Sequence, residues 1–304
     1  MKPILAVCSA LLMSSICAFA AGGAAPNAPS SGDVGPLLDK AIDELVSLGY
    51  LGDTSAAERY LAAVLEQEPE HLEARWQLLY VRLMPLKSVP LSERTDALAQ
   101  LSPEFGRLAK LARASKQEAF LHYMTAIHAG FYKNYERALA EIGKAVVLDK
   151  NSVRYATAKG RLLAERGDWA RSDQDVEAGI EVLKAARELL RGKPSPFVRD
   201  QDYEFYLAAA LEDMTKPRWN EVAEHYQRFI AASRESLRQA FAWNNTSLAY
   251  QKLGECGKAK EAAQKALAIA KFGMAQRNLQ RSEFCLEMQA MGVVPQQQEA
   301  SQAR

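Results

Sequence analysis

The chain has 304 residues, 48% hydrophobic and 25% charged, and its 38 basic and 37 acidic side chains leave a formal charge of +1. That balance excludes a surface built for counterion-release binding to nucleic acid, which needs a basic excess. The length is ample for one elongated helical domain, and helix formers dominate with no convincing strand run, so the class reads as all-α.

Residues 1–20 have the pattern of a cleavable export signal. Lys2 gives a positive start, Ile4–Ile16 an apolar run too short to span a membrane, and Ala18-Phe19-Ala20 a small-x-small cleavage site. Cys17 raises a lipoprotein alternative, but Ile16 precedes it where that signal needs a small residue. Residues 21–36 (AGGAAPNAPSSGDVGP) have the composition of a flexible linker.

In 37–71, Gly52, Ala57, Leu61 and Pro69 fit a turn, a helix crossing, a packing position and an exit. Pro85, Pro90 and Pro103 cut 72–118 into short pieces, with helices expected at 91–101 and 103–115 in an irregular insert. Arg107, Lys110, Arg113 and Lys116 in that insert read as a solvated helix face rather than an anion site. Regularity returns at 119–186. Ala126 and Ala129 mark crossing points, and YERALAEIGKAVVLDKN (135–151) follows. A shift of 34 then maps Ala126 on Gly160, Tyr135 on Trp169, Ala138 on Ser172, Ile142 on Val176 and Ala145 on Gly179, with Gly167 as the turn glycine.

Residues 187–235 form a degenerate pair, with a helical stripe of Trp219, Val222, Ala223, Tyr226, Phe229 and Ile230. The clearest unit lies at 236–273. There Trp243 and Tyr250 fill gaps between helices, Ser247, Ala259 and Ala266 are small at the crossing, and Gly254 ends the first helix. A capping helix is expected at 274–292, with Gln276, Arg277, Gln280, Arg281 and Glu287 as its polar face, before a polar tail at 293–304.

These residues resemble the tetratricopeptide repeat family. The resemblance covers 119–179 and 240–273, extends to 38–71, and loses the family spacing at 198–235. It implies an α-solenoid of helix–turn–helix repeats whose first helices line a concave groove. Carried over, the groove positions are Phe120, Tyr123, Ile127, Gly130 and Phe131, then Arg154, Thr157, Arg161, Ala164 and Glu165, then Phe241, Asn244, Leu248, Gln251 and Lys252. Such a lining suits an extended peptide or amphipathic helix with apolar anchors and some negative charge. Tyr123 and Ile127 replace the lysine and asparagine of the carboxylate-clamp type, so that mode is not implied. The alternative for Tyr123 and Phe131 is packing against the 72–118 insert. Asn245 fits the common structural asparagine of the repeat.

Cys256 and Cys285 both lie in the last module. An exported chain with an even cysteine count suggests a bridge, and the repeat geometry implied by the resemblance brings both to one end of the stack. Two buried thiols are the alternative.

No catalytic signature is present. His71, His122, His128 and His225 form no HExxH, and no Cys-x-x-Cys, GxSxG, P-loop or dinucleotide fingerprint appears. No metal or cofactor is therefore expected. The chain reads as a non-enzymatic periplasmic (or secreted) scaffold that binds a protein or peptide of the cell envelope. The alternatives are a small-molecule or lipid carrier closed by the insert, or a non-catalytic subunit of an envelope enzyme. Intact-mass measurement of the exported chain should give Ala21 as its first residue. A diacylglycerol-sized mass on Cys17 would overturn that expectation.

Overall fold

The computed structural model describes residues 33–234 and 236–293, so the signal and most of the linker and tail lie outside the described residues. From Val34 onward the described residues form thirteen α-helices and one short 3-10 turn. Six antiparallel hairpins run in chain order, followed by a single helix. They are α1 (Gly35–Leu48) with α2 (Ser55–Gln67), α3 (Leu72–Leu83) with α4 (Leu91–Ala114), α5 (Glu118–Phe131) with α6 (Tyr135–Leu148), and α7 (Val153–Ala170) with α8 (Asp173–Gly192). Then come α9 (Asp200–Asp213) with α10 (Trp219–Ala232), α11 (Leu237–Lys252) with α12 (Cys256–Ile269), and α13 (Gly273–Ala290). This is an all-α solenoid of tetratricopeptide-like hairpins.

Local chemistry starts and stops these helices. The side chains of Asn134, Ser152, Ser172 and Ser236 each accept from a backbone N–H in the first turn of the helix that follows, which satisfies a donor left over at a helix start. Gly254 takes φ 76° after α11, and the Glu255 N–H bonds back to the Tyr250 carbonyl at 2.9 Å. Within hairpins the helices meet on small residues. Ser247 donates to the Ala259 carbonyl at 2.8 Å, and Ala126, Ala138 and Ala145 are fully buried between α5 and α6.

The tightest crossing is α7 on α8. A Cβ added at Gly160 would lie 2.8 Å from Leu183 Cγ and 3.1 Å from the Gly179 carbonyl. One added at Gly179 would lie 2.7 Å from both the Ala164 nitrogen and the Gly160 carbonyl. Apart from Leu183 Cγ, those neighbours are backbone and cannot swing away.

Three expectations need correction. Helix α4 passes through Pro103 without a break, because Pro103 sits on the exposed side while Leu98, Leu108 and Ala112 continue one buried face across it. The ladder bond lost at Pro103 is the one to the Ala99 carbonyl; one position earlier the Ser102 hydroxyl donates to the Leu98 carbonyl at 3.1 Å. Segment 72–118 is thus a hairpin of the stack. Gly167 is not a turn residue, since α7 runs on to Ala170 and Arg171 supplies the left-handed cap at φ 54°. Gly167 is small because its Cβ would stand 2.7 Å from the Val176 nitrogen. The longer α7 also breaks the Tyr135–Trp169 equivalence: Tyr135 is buried, whereas Trp169 is exposed with the Lys133 ammonium 4.0 Å from its ring centroid.

At 187–235 the helical stripe is buried. Val222, Ala223, Tyr226 and Phe229 are buried with Tyr203, Leu207 and Ala208 of α9 in one core with α8 and α11. At the far end Cys256 and Cys285 are bonded, their Cα atoms 5.8 Å apart and 29 positions apart in sequence. By the chain-entropy account, closing such a loop contributes roughly 3–4 kcal/mol by restricting the unfolded chain. It ties α13, which has a neighbour on only one side, to α12.

Gly179→Ala should destabilise the protein by about 1–3 kcal/mol through overpacking. Gly143→Ala in α6, where nothing lies within 4 Å, should be neutral or stabilise by up to about 1 kcal/mol through helix propensity. Urea denaturation of the two variants checks the contrast.

Candidate functional site

The inner face of the stack is carried by two facing stripes. On α3, Glu73, Gln77 and Tyr80 follow at helical spacing, and on α7, Arg154, Ala158, Arg161 and Glu165 do the same. The stripes touch at both ends. Arg154 Nη1 donates to Glu73 Oε2 at 2.8 Å, and Arg161 interacts with the Tyr80 hydroxyl.

At the first end, Arg154 is enclosed by rings. Its guanidinium carbon lies 4.9, 4.5 and 4.0 Å from the centroids of Phe120, Tyr123 and Phe197. Burial alone would ease its proton off, but the Glu73 carboxylate outweighs that and holds the pKa above the ordinary value. Beside this group opens a slot of about 300 Å³, lined by Glu73, Gln117, Phe120, Arg154, Lys193 and Phe197 among others. Lys193 is exposed at its rim, so two cations face one anion there.

At the second end, Lys87 from the 3-10 turn (Met84–Ser88) donates to Glu165 Oε1 at 2.6 Å, and Arg161 lies 4.8 Å from the Tyr206 centroid. Burial pulls the Lys87 ammonium below its usual range, with Glu165 opposing. Burial would raise the Glu165 carboxyl, yet Lys87 and Arg161 hold it below its ordinary value. The recess over Ile127, Gly130, Phe131 and Leu162 holds only about 20 Å³, room for a water molecule and not for a lipid chain.

Tyr50, from the turn after α1, sits between the two ends. Its hydroxyl donates to Gln77 Oε1 at 2.9 Å, and its ring meets Tyr80 edge-on at 4.8 Å.

The groove assigned from sequence divides accordingly. Phe120 and Arg154 come together at the slot, and Ile127, Arg161 and Glu165 at the recess. Tyr123 and Phe131 are both buried: Tyr123 packs against Trp76 of α3 at 5.8 Å, as the alternative of packing against 72–118 describes, while Phe131 forms part of the recess wall. Phe120 is also 94% buried and offers the slot only an edge. Thr157 is buried in a 2.7 Å hydrogen bond with the Tyr203 hydroxyl.

The late set is used internally. Asn244 is buried and accepts from Asn278 Nδ2 at 3.0 Å, and Gln251 donates to the Asn278 carbonyl and to Ser282 Oγ, which seats α13. Phe241 packs edge-on to Phe272, Leu248 is half-buried, and Lys252 alone of that set is exposed. Sequence reasoning missed Tyr50, Glu73, Gln77, Tyr80 and Lys87. The glycines flanking Tyr50, in the run Leu48-Gly49-Tyr50-Leu51-Gly52, were the one available signal for it.

Away from these openings, Asn245 joins a polar knot. Its amide donates to the Tyr226 hydroxyl at 3.0 Å and to Glu212 Oε2 at 3.3 Å, and the Tyr226 hydroxyl donates to the same oxygen at 3.1 Å. Burial pushes the Glu212 carboxyl up to about 7 although Tyr226 opposes the shift. Asp213 is also pushed to about 7, by burial and then by Asp168 and Glu212. Among the described residues no group of three or more His, Cys, Asp or Glu could hold a metal ion, and no helix is long and apolar enough to cross a membrane.

No family model and no curated protein matches the chain. Solved structures similar to it include the MamA protein, at 17% identity and TM-score 0.38, covering 60% of this chain and 98% of that one. Yeast Tom70 is similar at 13% and 0.45, covering 86% of this chain, and the Cut9–Hcn1 hetero-tetramer of APC/C at 16% and 0.40, covering 84%. This chain spans 56% and 54% of the lengths of those last two. Likenesses of this extent say nothing of partner or activity.

A carboxyl whose folded pKa is raised stabilises the fold fully below its unfolded value and loses that contribution as pH rises through the folded one. For Glu212 the window runs from about 4.5 to about 7. Stability should therefore fall by about 1–3 kcal/mol across it, and Glu212→Gln should flatten the slope in denaturation curves taken between pH 4.5 and 7.5.

Proposed function

We propose that the protein is a non-enzymatic scaffold of the bacterial periplasm that holds a protein or peptide partner of the cell envelope on the inner face of its solenoid. The observation that carries this reading is the slot at Arg154. Its volume of about 300 Å³ sits at the lower end of the range for ligand sites, and its lining pairs apolar edges from Phe120, Val153 and Phe197 with the cations Arg154 and Lys193. A peptide segment with one apolar side chain beside one carboxylate meets that lining point for point. The export signal at 1–20 and the Cys256–Cys285 bridge support an oxidising compartment. A carrier enclosing a lipid finds no support at the Phe131 recess, which holds about 20 Å³.

A photo-crosslinking side chain placed at Lys193 should capture an envelope protein in intact cells, and one at Lys184 on the outer helix α8 should not. Lys193→Glu should weaken the captured interaction about 5–10-fold by reversing a rim charge while leaving the melting temperature unchanged. Equal capture at both positions, or none at Lys193, would remove the slot from consideration.

A further inference from the structure

In an open solenoid each hairpin contacts only its neighbours. The first hairpin here departs from that rule. Arg199, at the start of α9, donates to the Asp43 carbonyl of α1 at 3.1 Å and pairs with the Asp43 carboxylate, 156 positions away in sequence. The turn after α1 reaches further, to α11. A Cβ at Gly49 would lie 2.5 Å from Arg238 Cδ, and one at Gly52 would lie 3.7 Å from Leu237 Cβ. Three residues of this turn, Gly49, Tyr50 and Gly52, hold left-handed backbone at φ 63°, 60° and 82°. For tyrosine that conformation is costly and needs support from its surroundings. The support is the inner face itself: Gln77 takes the hydroxyl and Tyr80 the ring edge.

Along α3, Glu73 belongs to the slot, Gln77 binds Tyr50, and Tyr80 belongs to the recess. Tyr50 therefore stands in the middle of one stripe, between the residue that lines the slot and the one that lines the recess.

We infer that the Gly49–Gly52 turn is an internal pseudo-ligand, which occupies the centre of the inner face until a partner segment displaces it. This rests on the inner-face reading above. The occupant defines the partner chemistry. It is an extended segment that offers a phenol ring to the Gln77–Tyr80 position. Displacement requires no unfolding of α1, whose buried residues Leu37, Ala41, Leu45 and Val46 pack within the first core. Only the turn and the Asp43–Arg199 pair must let go.

The test uses the full chain and a synthetic peptide with the sequence of residues 47–55, SLGYLGDTS. Tyr50→Ala protein should bind this peptide at least tenfold more tightly than unmodified protein, and a peptide with alanine for the tyrosine should lose that binding. Folding of the variant is checked by its melting curve. If Tyr50→Ala does not fold, Arg199→Asp is the second route. It should raise peptide affinity and speed amide exchange at 49–54 while α5–α8 stay protected, and adding Asp43→Arg should reverse both effects. No gain in peptide binding by any folded variant, or amide exchange rising uniformly along the chain, would overturn the inference. Envelope crosslinks at Lys193 without peptide binding would remove the pseudo-ligand and keep the scaffold. Peptide binding without crosslinks would do the opposite.

Discussion

Arg154 is the contact on which the inner face depends. One guanidinium satisfies Glu73 of α3, lies against Phe120 and Tyr123 of α5, and covers Phe197 of the loop before α9. Four consecutive layers thus share one charge. A planar cation can do this because its edges donate to carboxylates while its faces stack on rings. The pair with Glu73 is partly enclosed, so removing either partner leaves a charge in a place water reaches poorly, which costs far more than an exposed pair would contribute. The same geometry shapes the slot, whose wall is the outer edge of this cluster. Structure and candidate function therefore draw on one side chain, and a neutral substitution there would disturb both.

Self-contact changes what kind of solenoid this is. Stability in a linear array is a sum of repeat and neighbour terms, and its ends open first. Here the two ends are treated differently. The C-terminal end is tied covalently through Cys256–Cys285 and through the amide contacts between Asn244 and Asn278. The N-terminal hairpin shares a core with α3, and its hold on the later layers is one ion pair and one turn laid against the start of α11. A covalent bond and buried amides resist separation, whereas an exposed ion pair is weak and screened by salt. The asymmetry places the easily opened contact over the inner face and the durable one away from it.

The polar knot at Glu212 shows a different economy. Tyr226 and Asn245 both donate to one carboxylate, yet burial dominates and the acid keeps its proton to near neutrality. Glu204 is the counterexample on the same helix. Burial would raise it too, but Arg228, His225 and Arg187 converge on it and hold it down to about 2. Two glutamates two turns apart on α9 thus sit on opposite sides of the usual carboxylate value, because one faces cations and the other faces only neutral donors.

The repeat itself was legible in the residues. Small side chains at helix crossings, Gly254 at a helix end and the 34-residue spacing of Ala126 with Gly160 are local requirements of two helices approaching closely, and a local requirement leaves a local mark. The breaks were less legible. Pro103 is a helix breaker by local chemistry, but the buried face from Leu98 to Ala112 outweighs it. Which groove residues stay open was decided only in three dimensions. Tyr123 and Ile127 lie four positions apart on one helix, and nothing in their spacing says that Trp76, some 47 positions earlier, covers the first and leaves the second partly open. The placement of Gly49 of the first hairpin against Arg238 of the sixth follows from the way successive hairpins are stacked. That stacking is a sum of small packing angles, and no single residue carries it, so the sequence determined the unit and the tertiary structure decided where the units close.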